Sequence, residues 1–279
     1  MSYKSILTVL TNEKLMNAPL TALSALAATH DAHADAVCLG IDRTQVGYYY
    51  AGATAVLIED SLNRAREEAE ALAGLAEKNL AATGLRWGVD DAVASMMDTG
   101  RFVAHRARFT DLFVSPMPYG EDRGAEIELV LEAALFDGRT PVLVVPDAAP
   151  NDFAFRKVLV AWNESAEALS AIRKALPFLA AADLVQIAVI DPPAHGPERS
   201  DPGGLLSLML SRHGVKCEID VVRKTLPRIS DVLHQKATDA GSDLIVMGAY
   251  GHSRLRQSIL GGTTRNMLEQ SKVPILMAH

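Results

Sequence analysis

Cysteine is scarce in this chain, and its scarcity narrows the chemistry available. The two that occur, Cys38 and Cys217, lie in apolar, strand-like runs, DAVCLGI and KCEIDVV. Each reads as a small buried hydrophobe rather than half of a disulfide, a metal ligand or a nucleophile, and free thiols of this kind fit a reducing cytoplasm. Basic charge is in deficit as well: 27 Lys and Arg stand against 34 Asp and Glu, a net charge of −7. That balance argues against a broad nucleic-acid or anionic-membrane surface, so any phosphate site must be local, made by backbone and a few arginines. No run of eighteen apolar residues occurs, and nothing reads as a membrane span. The start, MSYKSILTVLTNEK, lacks the basic region, long apolar stretch and small-residue cleavage site of a secretory leader. Catalytic signatures are missing too: there is no G-x-S-x-G elbow, no H-E-x-x-H and no Cys–His pairing that the sequence supports. Neither the dinucleotide fingerprint G-x-G-x-x-G nor the Walker loop G-x-x-x-x-G-K-[ST] is present.

What the chain does have is size and a repeat. Its 279 residues, 49% hydrophobic and 22% charged, suffice for one large domain or two ordinary ones with well-packed cores. YKSILTVLTNE near the start resembles FRKVLVAWNES from Phe155. TDLFVSPMPYG from Thr110 resembles SDLIVMGAYGH from Ser242, and GRTPVLVVPD from Gly138 resembles SKVPILMAH at the end. The three pairs keep their order, at offsets of about 152, 132 and 133 residues, which predicts two domains of one design. The join is VPDAAPNDFAF, a short Pro/Asp/Asn/Ala stretch that few contacts should cross. The expected domains are residues 1–147 and 155–279.

Short β-branched runs alternate with longer helical patterns in both halves. In the second half the strand candidates are KVLVAW, LVQIAVI, KCEIDVV, DLIVMGA and PILMA. Between them lie the helical SAEALSAIRKALPFLAAA, with Ser165 as N-cap, and LPRISDVLHQKATDAG, with Ser230 or Asp231 early and Gly241 as its stop. GGLLSLMLSRHG fills the gap between the second and third strands. The first half reads alike, with strands near Ile6, Val37, Trp87, Leu112 and Val142 and a long helix beginning AVLIEDSLNRAREE. Continuous apolar strands separated by helices mean a parallel sheet covered on both faces. The expected class is α/β: two tandem, doubly wound, five-stranded parallel-sheet domains of Rossmann-like design, with the ligand edge at the carboxyl ends of the strands beside the first strand.

One segment carries a chemical signal. MGAYGHSRLRQSILGGTTRNML, Met247 to Leu268, places four glycines between the fourth strand and the last helix of the second half. Bare backbone beside a helix N-terminus favours a phosphate. Thr263 and Thr264 offer hydroxyls, and Arg254, Arg256 or Arg265 charge-assisted hydrogen bonds. A plain turn is the competing account of the same glycines.

The spacing Gly248, two residues, Gly251, nine residues, Gly261 resembles the G-x2-G-x9-G-[ST] signature of the universal stress protein family (UspA-like). It stands where that family puts it, and the tandem layout is similar to the family's two-domain members, whose fold is adenine nucleotide alpha hydrolase-like. The resemblance implies ATP binding, with or without Mg2+, in the C-terminal domain. Gly248 and Gly251 would lie beside the ribose and phosphates, Gly261, Gly262 and Thr263 would cradle the phosphates, and His252 and Thr264 are within reach of them. Asn163 holds the place of the family's usual aspartate, and Val189 or Ile190 would flank adenine. There are two departures: Gly262 stands where Ser or Thr is usual, and Asn163 brings no charge to position a metal. The first half has lost the motif, since Pro116 replaces the first glycine and Glu121 and Asp122 add negative charge.

The resemblance further implies pairing of the two halves through their last strands, PVLVVP and PILMA, as an internal pseudo-dimer; association of two chains and an unknown protein partner are further expectations. The expected function is a non-enzymatic, cytoplasmic adenine-nucleotide module of the stress response. The alternatives are weak ATP hydrolysis or self-phosphorylation on Thr263, Thr264 or Ser258, and a nucleotide-free scaffold. The early H-I-G-H or S-G-G-x-D-S of acid-activating relatives of this fold is absent. Among other constellations, His30 and His33 beside Asp31 and Asp35 read as a solvated helix end before a metal pair. His105 with Arg101, Arg106 and Arg108 reads as a basic helix face. His195 belongs to a Pro/Gly-rich connector, and Tyr48–Tyr50 form either an interface patch or a core edge.

Overall fold

The computed structural model describes residues 2–43, 54–148, 152–192, 200–249 and 262–279. The chain forms two compact units, one spanning Tyr3–Thr140 and the other containing Pro141–His279. In the N-terminal unit the elements are β1 (Ser5–Leu10), α1 (Asn17–His30), β2 (His33–Asp42), α2 (Thr54–Ala81), β3 (Arg86–Ser95), α3 (Met96–Ala107), β4 (Leu112–Pro116) and α4 (Ala125–Glu132), which runs on as a π-helical turn over Ala133–Asp137. Its strands lie in the order β3-β2-β1-β4, and all pairs are parallel. In the C-terminal unit they are β5 (Val142–Val145), β6 (Lys157–Trp162), α5 (Ala166–Lys174), α6 (Leu176–Ala181), β7 (Leu184–Ile190), α7 (Gly204–Arg212), β8 (Cys217–Val222), α8 (Ile229–Ala240), β9 (Leu244–Gly248), α9 (Gly262–Gln270) and β10 (Ile275–Ala278). The order there is β5-β10-β9-β6-β7-β8.

The doubly wound α/β class is as expected, and the order reverses beside the first strand of each repeat. The central strands are enclosed on both faces: Val158, Leu159 and Val160 of β6 and Leu244, Ile245 and Val246 of β9 are all buried. This is why these segments read as unbroken apolar runs rather than alternating ones.

The repeat is visible in the bonding as well as in the letters. Asp111 Oδ2 accepts from the backbone N–H groups of Lys4 at 2.6 Å and Ser5 at 3.1 Å. Asp243 does the same for Arg156 at 2.8 Å and Lys157 at 3.1 Å. Each aspartate also donates its own N–H across the same junction, to Ser5 O and Lys157 O. The aspartates of TDLFV and SDLIV thus fasten the start of the fourth strand of each repeat to the start of the first.

Several local expectations meet their physical limits. Ser165 does cap α5, its hydroxyl accepting from Ala168 N–H at 3.1 Å, and Gly241 ends α8 in the left-handed conformation at φ 62°. The single helix expected over 165–182 is instead α5 followed by α6, because Pro177, near the start of α6, has no N–H to continue the ladder. Ser230 and Asp231 fall in the first turn of α8, as expected, and its N-cap position, Arg228, makes no side-chain cap. The division into compact units turns on β5. It pairs antiparallel with β10, Leu143 opposite Leu276, and groups with the C-terminal unit, so the compact units divide between Thr140 and Pro141. PVLVVP and PILMA therefore pair with each other.

Both thiols are free. Cys38 is fully buried, and desolvation, with Asp91 and Glu77 nearby, pushes its thiol up to about 12. Cys217 is only half-buried, its Sγ donating to Ser207 O at 3.7 Å. Since the thiolate is the reactive form, native protein at pH 8 should take up a thiol-specific label at Cys217 alone and at both cysteines after denaturation. Rapid native labelling of Cys38, read by peptide mass, would contradict this packing.

Candidate functional site

The geometry converges on the carboxyl edge of the C-terminal sheet. β6 lies between β9 and β7, so the crossovers leaving its two neighbours depart to opposite sides and open a crevice at its end. Asn163 directly follows β6 and is exposed. Its Oδ1 accepts from Ser165 N–H at 3.2 Å, which leaves the NH2 group as its donor. Between them Glu164 is held at φ 61°, a left-handed turn that brings Asn163 and the α5 cap together. On the neighbouring strand Val189 is buried and Ile190 half-buried.

β9 and β10 are adjacent and parallel, so α9, which connects them, must begin at this same edge. Its first residues are Gly262, exposed, Thr263, half-buried, and Thr264, buried. The opening N–H groups of a helix have no intrahelical acceptors and carry its positive dipole end. Among the described residues, a Cβ added at Gly262 would meet only Asn266 Nδ2, at 4.0 Å. The Oδ1 of the same Asn266 accepts from Arg228 Nη1 at 3.5 Å. Arg228 therefore stands as a cation near the start of α9, a feature invisible in the sequence because it arrives from the separate helix α8. Arg265, an expected anion ligand, is paired with Glu269 at 2.7 Å.

Gly248 has a reason of its own. A Cβ there would lie 2.5 Å from Ala168 N and 2.7 Å from Glu167 C, inside the backbone of α5. The first motif glycine thus lets α5 pack onto the end of β9. The expectations for Gly251, His252 and Gly261, and for Arg254, Arg256, Ser258, His195 and Tyr48–Tyr50, fall outside the described residues.

The corresponding edge of the N-terminal unit is furnished differently. Asn12 Nδ2 donates to Asp122 O at 3.1 Å, and Lys14 pairs with Asp122 at 2.8 Å. Arg123 Nε donates to Met117 O at 2.6 Å, closing the loop after β4 on itself. At the start of α4, Glu126 is buried and its carboxylate folds over Gly124, in space a Cβ there would need. Arg43, from the end of β2, pairs with Glu126 at 3.3 Å and with Glu68 at 3.6 Å. The chain's own carboxylates occupy this helix start and its cation, and a phosphate arriving there would meet negative charge.

The remaining constellations are structural. His33 Nδ1 lies 3.2 Å from Asp35 Oδ1, and His30 stacks edge-on against Tyr3. Burial, with Lys4 nearby, lowers the His30 pKa. Among the described residues no group of three or more His, Cys, Asp or Glu is placed to hold a metal. The basic face of α3 lines a cleft of about 440 Å3, but Arg101 is paired with Asp98 at 2.8 Å, and Arg106 with Asp90 while lying over the Phe102 ring. Among the described residues no helix is long and apolar enough to cross a membrane.

Fold and edge together define a doubly wound α/β protein in which Asn163 and the start of α9 lie at the carboxyl edge of the C-terminal sheet. Residues 154–279 match the model of the Universal stress protein family. The chain is 29% identical over 162 residues to the universal stress protein Slr1230 of Synechocystis, a match covering 55% of this chain and half of that relative's length. It superposes on a universal stress protein from Archaeoglobus fulgidus with a TM-score of 0.76 at 16% identity, over 98% of this chain and 95% of that one. A putative universal stress protein from Pseudomonas aeruginosa gives 0.63 at 14% identity, over 99% and 93%. The match to the family model falls on the C-terminal unit, and over the whole chain the solved structures share the fold.

Proposed function

We propose that this protein is a tandem universal stress protein whose C-terminal domain, residues 155–279, binds an adenine nucleotide, ATP foremost, and whose first repeat, residues 1–147, does not. The observation that carries this reading is the start of α9, with Gly262 exposed, at the same sheet edge as the exposed Asn163. Backbone N–H groups, the Thr263 hydroxyl and Arg228 would receive phosphate oxygens, and Asn163 would donate to an oxygen of the sugar or phosphates. Gly251, His252 and Gly261 enter on the family resemblance alone. The filled helix start at Glu126 supports assigning binding to one repeat only. On this reading the protein binds rather than turns over the nucleotide and acts in stress adaptation through nucleotide-dependent contacts with other proteins.

Calorimetric titration of nucleotide-stripped protein with ATP, with and without Mg2+, tests this. One site per chain is expected, abolished by Gly261→Val and unaffected by Glu126→Gln, with the nucleotide recovered intact. Gly262→Ser adds a hydroxyl donor at the start of α9 and should tighten binding by about 1 kcal/mol, roughly fivefold. Folded protein that gives no heat at millimolar ATP would overturn the reading.

A further inference from the structure

We propose that Trp162 is a base-binding residue: its indole N–H donates a hydrogen bond to a ring nitrogen of the nucleobase held at the carboxyl ends of β6 and β7. The inference rests on the nucleotide reading above and adds a polar contact to the apolar pair, Val189 and Ile190, expected to flank the base.

Trp162 is the last residue of β6, adjacent to Asn163, and only 8% exposed. Its Nε1 is buried and, among the described residues, has no hydrogen-bond partner. Buried indole N–H groups ordinarily find an acceptor, so an orphan at the ligand edge of a doubly wound sheet is a donor waiting for one. The surroundings say what kind. A Cβ placed on Gly203 would lie 3.7 Å from Trp162 Cδ1, 3.6 Å from Val189 Cγ2 and 3.7 Å from Ile187 Cγ2. The indole edge that carries the N–H therefore shares one apolar wall with two β7 side chains, beneath the start of α7. Gly203, the N-cap residue of α7, sits at φ 84°, in the left-handed region that favours glycine. Such a wall suits the flat face of a base and gives a phosphate no compensating charge. A purine ring nitrogen supplies an acceptor without a charge, and Asn163, one residue on, remains free to serve the sugar and phosphates.

The chain has two tryptophans, and the second, Trp87, belongs to β3 in the N-terminal unit. In protein carrying 15N in its indole rings, two side-chain N–H resonances should appear, with Trp87 assigned by its loss in Trp87→Phe. Adenosine and ATP should each move the Trp162 resonance downfield and leave that of Trp87 in place, whereas tripolyphosphate should move neither. Trp162→Phe, which keeps a ring in the core, should weaken ATP binding about tenfold in calorimetry. If ATP binds the wild-type protein but the Trp162 resonance stays still and Trp162→Phe binds equally well, this proposal falls and the nucleotide reading stands. A shift with tripolyphosphate alone would overturn the assignment to the base. Absence of any ATP binding to the folded wild-type protein overturns both.

Discussion

Gly248→Ala is expected to destabilise the C-terminal unit by about 3 kcal/mol with no ligand present. The added methyl would sit 2.5 Å from Ala168 N, 2.7 Å from Glu167 C and 2.9 Å from Ala168 Cα. All three are main-chain atoms, so no side-chain rotation relieves the overlap; α5 must lift away from the sheet. That helix is fixed at its start by the Ser165 hydroxyl and packed through Ala168, Ala171 and Ile172, all buried. Lifting it exposes part of that surface and pulls on the Asn163–Ser165 turn. The melting temperature should fall by about 10 °C, and ATP affinity should fall with it through displacement of Asn163. The same loss of affinity from Gly261→Val should leave the melting curve of the unliganded protein near wild type. If Gly248→Ala melts with the wild type, the packing account is wrong and this glycine serves a ligand alone. A titration of Gly248→Ala without a melting curve would mistake a packing defect for a binding one.

The contrast between Gly248 and Gly262 shows what the letters could carry. The repeat, the strand-helix alternation and the switch point were legible because each depends on periodicity and order along the chain. Ser165 and Gly241 were legible because caps are local. Gly248, by contrast, is explained by the backbone of a helix eighty residues earlier, and no spacing rule distinguishes a glycine that admits a helix from one that admits a phosphate. Trp162 read as one more apolar strand residue; only the burial of its Nε1 without an acceptor marks it out. Glu126 was missed for a related reason. The sequence showed Pro116, Glu121 and Asp122 as the marks of a lost site, but the carboxylate that fills the helix start, Glu126, lies four residues beyond Asp122 and is held by Arg43 from the end of β2. Partner choice between strands was the remaining gap. Apolar runs reveal that β5 and β10 are edges seeking a neighbour, and the family resemblance supplied the expectation that they pair.

The second large effect concerns that pair. A fragment beginning at residue 155, where the sequence repeat begins, is expected to lose the monomeric fold that a fragment beginning at Pro141 keeps. Val142, Leu143, Val144 and Val145 are all fully buried in the intact chain, as are Ile275, Leu276 and Met277 opposite them. Removing β5 forfeits the burial of four apolar side chains, about 6 kcal/mol or more, and uncovers the N–H and C=O groups along β10. The register indicates what can take the place of β5. Val144 faces Ile275, Leu143 faces Leu276 and Val142 faces Met277, so each strand presents its partner with a similar apolar sequence read in the opposite direction. A second copy of β10 can offer nearly the same surface as β5. The shorter fragment should therefore elute as a dimer or larger species in light-scattering chromatography, with a lower melting point that depends on its concentration, while the longer one remains a monomer with a concentration-independent melt. A stable monomer beginning at residue 155 would mean that β5 is dispensable to the C-terminal unit, and that the domain boundary coincides with the repeat boundary after all.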